Sequence, residues 1–146
     1  MTVAIMEVVS AFASTLAFGV LFNIRGKNLW LAALGGMLAW VIFLLLGLFM
    51  PSEAARYLLV SILISIYSEG MARFLHTPAT TFCIVSLIPL IPGGSLYYTM
   101  RNALQGNSEG FIERATATME LAAALALGIL LVTACARKFP LHRNKK

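Results

Sequence analysis

The chain reads as five apolar runs joined by short polar connections. The runs extend from about Val3 to Phe22, Leu29 to Met50, Ala54 to Phe74, Ala79 to Leu104 and Glu109 to Ala136. A hydrocarbon layer takes roughly 20 residues of helix to cross, so each run predicts a membrane span. Polar residues inside the first, third and fifth runs recur at helical spacing and so fall on one face of each helix. They are Glu7, Ser10 and Ser14; then Ser61, Ser65, Ser68 and Glu69; then Glu113, Thr116 and Glu120. The second run is almost wholly apolar. Its Ala32 and Gly36, like Gly128 in the fifth, predict close helix contact through small residues. Trp30 reads as an interfacial anchor and Trp40 as packing. Between runs two and three, Met50-Pro51-Ser52-Glu53 is a turn and helix start, since proline and an acid both suit a first helical turn. Glu69 precedes Arg73 by four residues, the favourable order for a helical ion pair.

The fourth run contains Pro89-Leu90-Ile91-Pro92-Gly93-Gly94-Ser95, a poor recipe for an unbroken helix. Proline lacks the N–H that closes a turn and clashes with an earlier carbonyl. Glycine loses the most backbone entropy on being fixed. The pattern predicts two half-helices, Ala79 to Leu90 and Ser95 to Leu104. Broken backbone at membrane depth survives only where protein or a wet cavity surrounds it, and such breaks often bind solute and ions in transporters. The segment either crosses fully or re-enters.

With 60% hydrophobic and 12% charged residues in 146, the chain lacks the charge of a soluble domain. The expected fold is an all-α integral membrane protein of about five transmembrane helices, the fourth broken at Pro-Gly-Gly. Residues 1–136 form the helical domain and residues 137–146 a basic cytoplasmic tail, able to touch anionic membrane lipid. Arg25, Lys27, Arg73 and the tail's basic residues share one side; Arg56, Arg101 and Arg114 fall on the other. The positive-inside rule then places the C-terminus in the cytoplasm and the N-terminus outside. A re-entrant fourth segment would put both ends inside. The start of the chain lacks the charged leader of a secretory signal and reads as the start of span one. The basic charge is a membrane-topology signal and implies no nucleic acid. Cys83 and Cys135 sit far apart without a Cys/His cluster, so neither a disulfide framework nor a metal site is indicated, and no cofactor is expected.

Candidate chemistry centres on the break. A helix starting at Ser95 would aim the N–H groups of Gly94, Ser95 and Leu96 at a carboxylate, with Ser95 capping the helix or touching ligand. The substrate-binding candidates are Pro92, Gly93, Gly94, Ser95, Tyr97 and Glu120. The plain alternative is a kink packed by its neighbours. Glu120, expected at membrane depth, would carry a coupling proton, hold an ammonium group, or form a structural ion pair. Glu69 is the second proton-coupling candidate, with pairing to Arg73 as its structural alternative. Tyr97 and Tyr98 would line a solute path or form an aromatic belt. Arg101 would attract an anion or mark the interface. Glu7, Glu109 and Glu113 read as interfacial, and His76 as a loop residue without metal partners.

Asn23-Ile24-Arg25-Gly26, Tyr67-Ser68-Glu69 with Arg73, and above all Ile88-Pro89-Leu90-Ile91-Pro92-Gly93-Gly94-Ser95-Leu96-Tyr97 resemble the threonine/serine exporter family. The likeness is to its short component, homologous to the C-terminal half of the fused exporters, and covers the chain apart from the tail. It implies a secondary exporter of small amino acids in the bacterial inner membrane. Fused members carry both halves and a cytosolic region; split members pair a longer membrane subunit with a short one. The split form is also associated with dicarboxylates such as succinate. The resemblance therefore implies a longer partner subunit, a small carboxylate-bearing solute and room for a higher oligomer. Halves with an odd number of spans would face opposite ways, as an inverted repeat requires. Two further classes stand beside transport. A lipid enzyme lacks a nucleophile–base pair or metal constellation; a structural scaffold would contribute no ligand groups.

Overall fold

Small residues decide how closely these helices meet, and the second helix carries most of them. In the structure, a computed structural model that describes residues 2–75 and 77–138, the first helix α1 spans Thr2–Leu21 and the second, α2, spans Lys27–Phe49. His76 and most of the expected tail lie outside the described residues. The buried positions of α2 are Ala32, Ala33, Gly35, Gly36 and Ala39. Between helices in lipid there is little hydrophobic drive, so association depends on close packing and interhelical hydrogen bonds. Thr15, on a buried row of α1 with Ala11 and Gly19, sits directly against Gly36, where any side chain would overlap it. The chain turns between the two helices at Asn23 and Gly26, with φ of 58° and 65°, a left-handed conformation that asparagine and glycine tolerate.

Helix α3 spans Glu53–Leu75, with Glu53 in its first turn and Arg73 in its last, both favourable to the helix dipole. Ser52 caps it by accepting the Ala55 N–H at 3.4 Å. The interrupted segment follows. Helix α4 is Ala79–Leu87, running into a 3-10 turn at Ile88–Leu90, and α5 is Gly93–Leu104. The two halves meet at 56°. Proline explains the place of the bend: Pro89 occupies the start of the 3-10 turn and Pro92 immediately precedes α5. Helix α6, Ser108–Lys138, has 31 residues and is about 45 Å long at 1.5 Å per residue. Among the described residues, four helices are long and apolar enough to cross a membrane, five if the bent pair counts as one. The expected all-α bundle with a bent fourth segment is thus present, with α5 beginning at Gly93 rather than Ser95 and α6 extending to Lys138.

Helix α4 is the buried piece. Phe82 and Val85 pack with Ile24, Ala32 and Ala72 on one side. Cys83, Leu87 and Leu90 pack with Ala39, Tyr57, Val60 and Ile64 on the other. Two adjacent carbonyls of α2 bind its neighbours. The Tyr67 hydroxyl of α3 donates to the Leu31 carbonyl at 2.9 Å, and the Ser86 hydroxyl of α4 to the Ala32 carbonyl at 3.1 Å. Helix α5, by contrast, leaves this bundle and packs mainly along the first part of α6. The remainder of α6 packs on α3, where Gly128 lies against Ser61 and the Leu58 carbonyl. The close contacts expected at Ala32, Gly36 and Gly128 are all made. Trp40 does more than pack, because its Nε1 donates to Glu7 at 3.3 Å.

Gly128→Val should separate α6 from α3, because a Cβ there falls 2.9 Å from the Leu58 backbone oxygen. Overpacking of this kind costs about 1–3 kcal/mol. The expected result is a lower thermal midpoint and loss of monodisperse protein in detergent. Gly70→Ala, where a Cβ meets nothing within 4 Å, should leave both unchanged.

Candidate functional site

The break is built from its hydrogen bonds outward. Ile91 N–H donates to Ile88 O at 3.1 Å, Gly93 N–H to Ile91 O at 2.6 Å and Leu96 N–H to Pro92 O at 3.0 Å. Among the described residues, this leaves the N–H groups of Gly94 and Ser95 without a backbone acceptor. Two of the three expected donors are therefore free, and Leu96 is engaged. Pro92, the residue before α5, has no side chain able to cap it. Ser95 does not cap either: its hydroxyl pairs with Thr118 of α6 at 2.7 Å, and Thr99 joins them at 3.2 Å from Thr118. This polar seam fixes α5 on α6. A Cβ on Gly93 or Gly94 would meet nothing within 4 Å, so the space before the helix start is open.

Three cavities touch the break from three directions, and each contains at least one glutamate. Pro89 faces a groove of about 600 Å³ lined by Glu7, Ser10, Ser14 and Trp40. Ile88 and Ile91 face a cavity of about 420 Å³ that holds Ser65, Ser68 and Glu69 of α3. Gly94 and Ser95 face a third, of about 440 Å³, with Glu53, Tyr98, Arg114 and Glu120. The polar stripes of the first and third spans thus converge on the fourth.

The stripe of the fifth span does so only at Glu120. Glu113 and Thr116 are exposed, and Thr116 bonds back to the carbonyls of Ile112 and Glu113, both at 2.9 Å. The face that meets the cavity is Arg114, Ala117 and Leu121, with Glu120 at its edge. Tyr97 is also displaced from its expected place. It is 64% exposed, away from the cavity, and its ring meets Tyr98 edge-on at 5.5 Å. Tyr98 lines the cavity instead, with the Arg114 guanidinium 5.9 Å from its ring centre. Helical spacing carried this signal, since Gly94, Ser95 and Tyr98 stand at i, i+1 and i+4 while Tyr97 points elsewhere. Pro92 and Gly93 shape the bend and do not line the cavity. Arg101 is exposed.

Ser52 and Glu53, in the turn before α3, line the same cavity as Gly94 and Glu120. The break and Glu120 therefore stand level with one end of α3, not with its middle. Helix α6 extends beyond that end. Glu120 is exposed within this chain, and Ser95 is half-buried.

Glu69 is half-buried at the opposite end of α3. It lines both the 420 Å³ cavity and a shallow groove that includes Arg73 and Cys135. Among the described residues the two side chains make no ion pair within 4.0 Å, so the favourable spacing is not used. No cluster of three His, Cys, Asp or Glu side chains that could hold a metal is found among the described residues.

No solved structure matches the chain. Residues 7–135 match the family described as "Threonine/Serine exporter, ThrE", a range that contains all five spans' polar positions and the whole break. This multi-span membrane protein belongs to the threonine/serine exporter family.

Proposed function

We propose that the cavity at the start of α5 is where this exporter grips the two charged ends of a small amino acid. The carrying observation is that groups suited to both ends share one space. The free N–H groups of Gly94 and Ser95, at the positive end of a helix dipole, suit a carboxylate, and Arg114 lies in the same wall. Glu120 and Glu53 suit an ammonium. A dicarboxylate would bring its second acid group toward those glutamates, a like-charge contact, so this wall favours threonine or serine over succinate. Protons and the solute's ammonium would compete for Glu120, which is one simple way to couple export to a proton.

The polar wall is open within the single chain, and Gly93 and Gly94 face empty space. A longer membrane subunit of the same family would close it. With the N-terminus outside, this chain would supply one half of an inverted pair in a bacterial inner membrane, its basic end against cytoplasmic lipid headgroups.

The test is export of threonine from cells carrying this chain and its partner. Glu120→Gln should lower the export rate about tenfold or more, as loss of a charged hydrogen-bond partner does. Gly94→Val, whose Cβ meets no protein atom within 4 Å in this chain, should do the same without loss of membrane-inserted protein. Wild-type export by both variants would exclude this cavity.

Orientation is tested separately. In a Cys135→Ser background, Asn107→Cys should react with a membrane-impermeant thiol reagent added outside intact cells. Asn28→Cys should react only after permeabilisation. The reverse pattern would invert the topology.

A further inference from the structure

The hydroxyls of Ser95, Thr99 and Thr118 meet between α5 and α6. Each can donate one hydrogen and accept on two lone pairs. The Thr118 hydroxyl donates to the Arg114 carbonyl at 2.7 Å, and the Thr99 hydroxyl to the Ser95 carbonyl at 2.9 Å. Ser95 reaches no carbonyl; among the described residues its one hydroxyl partner is the Thr118 oxygen at 2.7 Å. Were Thr118 to donate to Ser95, it would give up the Arg114 carbonyl and leave the Ser95 hydrogen without a protein acceptor. Pairing every hydrogen of the seam therefore makes Ser95 the donor to Thr118. The Thr99–Thr118 contact, at 3.2 Å, is the longest and changes neither direction. The Ser95 oxygen thus receives no hydrogen from the described residues, and its lone pairs stay unused.

Ser95 is half-buried and lines the cavity at the start of α5. A Cβ on the adjacent Gly94 would meet nothing within 4 Å, so the space beside Ser95 is open. One residue then offers that space an N–H without a backbone acceptor and an oxygen without a donor. The two are separated by Cα and Cβ. In threonine and serine the carboxyl carbon and the side-chain hydroxyl are separated by the same two carbons. An acid group seated on the Ser95 N–H therefore brings a β-hydroxyl beside the Ser95 oxygen. We infer that Ser95 Oγ accepts the side-chain hydroxyl of the solute, and that Thr118 is the positioning residue that holds Ser95 as an acceptor. This role rests on the cavity reading proposed above, which seats the solute's charged ends; Ser95 adds selection for its hydroxyl. The other polar groups of the wall are engaged elsewhere. Glu53 and Glu120 suit the ammonium, Ser52 accepts the Ala55 N–H at 3.4 Å, and Tyr98 turns its ring to Arg114. A solute lacking the hydroxyl leaves the Ser95 oxygen unpaired, which is how a site rejects an analogue short of one polar group.

The test is competition. Inside-out membrane vesicles from cells carrying this chain and its partner take up labelled threonine, and two unlabelled inhibitors are compared: threonine, and 2-aminobutyrate, which is threonine without its hydroxyl. In the wild type, 2-aminobutyrate should need about tenfold the concentration of threonine for half inhibition, the worth of one hydrogen bond. Homoserine, whose hydroxyl stands one carbon further out, should be as poor as 2-aminobutyrate. Ser95→Ala should keep uptake and bring the threonine/2-aminobutyrate ratio close to one. Thr118→Val, which frees the Ser95 hydrogen to turn into the cavity, should lower the ratio too, and Thr118→Ser should restore it. Should Ser95→Ala fail to assemble, the Thr118→Val and Thr118→Ser pair decides the same point. A seam that only holds α5 on α6 would shift both inhibitors by one factor. A wild-type ratio near one, or an unchanged ratio in Ser95→Ala or Thr118→Val, would overturn the inference. If Glu120→Gln impairs uptake while Ser95→Ala keeps the wild-type ratio, only the Ser95 role is lost. Wild-type uptake by both Glu120→Gln and Gly94→Val would remove the cavity and the Ser95 role with it.

Discussion

An N–H or C=O in hydrocarbon must find a partner, and the interrupted fourth segment is where this chain meets that demand in an unusual way. An unbroken helix would satisfy every group internally. Pro89 and Pro92 forbid that, and the freed groups are taken up locally: a 3-10 turn from Ile88 to Leu90, then short bonds from Gly93 to Ile91 and from Leu96 to Pro92. Two donors, at Gly94 and Ser95, remain over. Because each unsatisfied group costs several kcal/mol in lipid, a chain that keeps them must put them beside water, a ligand or another subunit. Their position level with the α2–α3 turn, in a cavity rimmed by Glu53 and Arg114, is consistent with that requirement.

The break is tolerable because the half before it is held rigidly. Phe82, Val85 and Leu90 are at most 1% exposed, and α4 packs on α2 and α3 along its length. The hold depends on α2 being narrow. With Ala32, Gly35, Gly36 and Ala39 on its buried faces, neighbouring backbones come close enough for side-chain hydroxyls to reach its carbonyls. Tyr67 and Ser86 use the spare lone pairs of Leu31 and Ala32, so the polar groups of α3 and α4 are satisfied at the contact that positions them. The half after the break has no such hold from the bundle. Helix α5 is held on α6 by the Ser95–Thr118–Thr99 seam and by the Asn102 side chain donating to the Gly110 carbonyl, so the two halves joined at the prolines pack on different helices.

Much of this was readable from residue order. Membrane spans are long, and a run of twenty apolar residues admits few interpretations, so the long apolar helices, the bend and the small-residue contacts at Gly36 and Gly128 follow directly. Periodicity also located the polar faces of the first and third spans. What it does not give is the rotation of one helix against its neighbour. A stripe at Glu113, Thr116 and Glu120 is a valid helical face, yet α6 turns Arg114, Ala117 and Leu121 toward the cavity, one position away. Tyr97 and Tyr98 are adjacent in sequence and differ by about 100° around a 3.6-residue turn, enough to send one away and the other into the site. Nor does residue order show that Glu120 of α6 shares a cavity with Glu53 at the start of α3. The Trp40–Glu7 bond joins residues 33 apart in sequence, and no local pattern marks it.

The distribution of charge follows from the same geometry. Glu7, Glu69 and Glu120 are far apart in sequence and lie on three different helices, yet each lines a separate cavity touching the seven-residue break. Isolated carboxylates in spans are expensive unless they face a partner or water. One of them, Glu7, has Trp40 as a donor; the other two line spaces with unpaired donors or hydroxyls of their own. A single bend can therefore touch three acidic compartments without any pair of those glutamates sharing one, so their mutual repulsion stays small while each remains beside the broken segment.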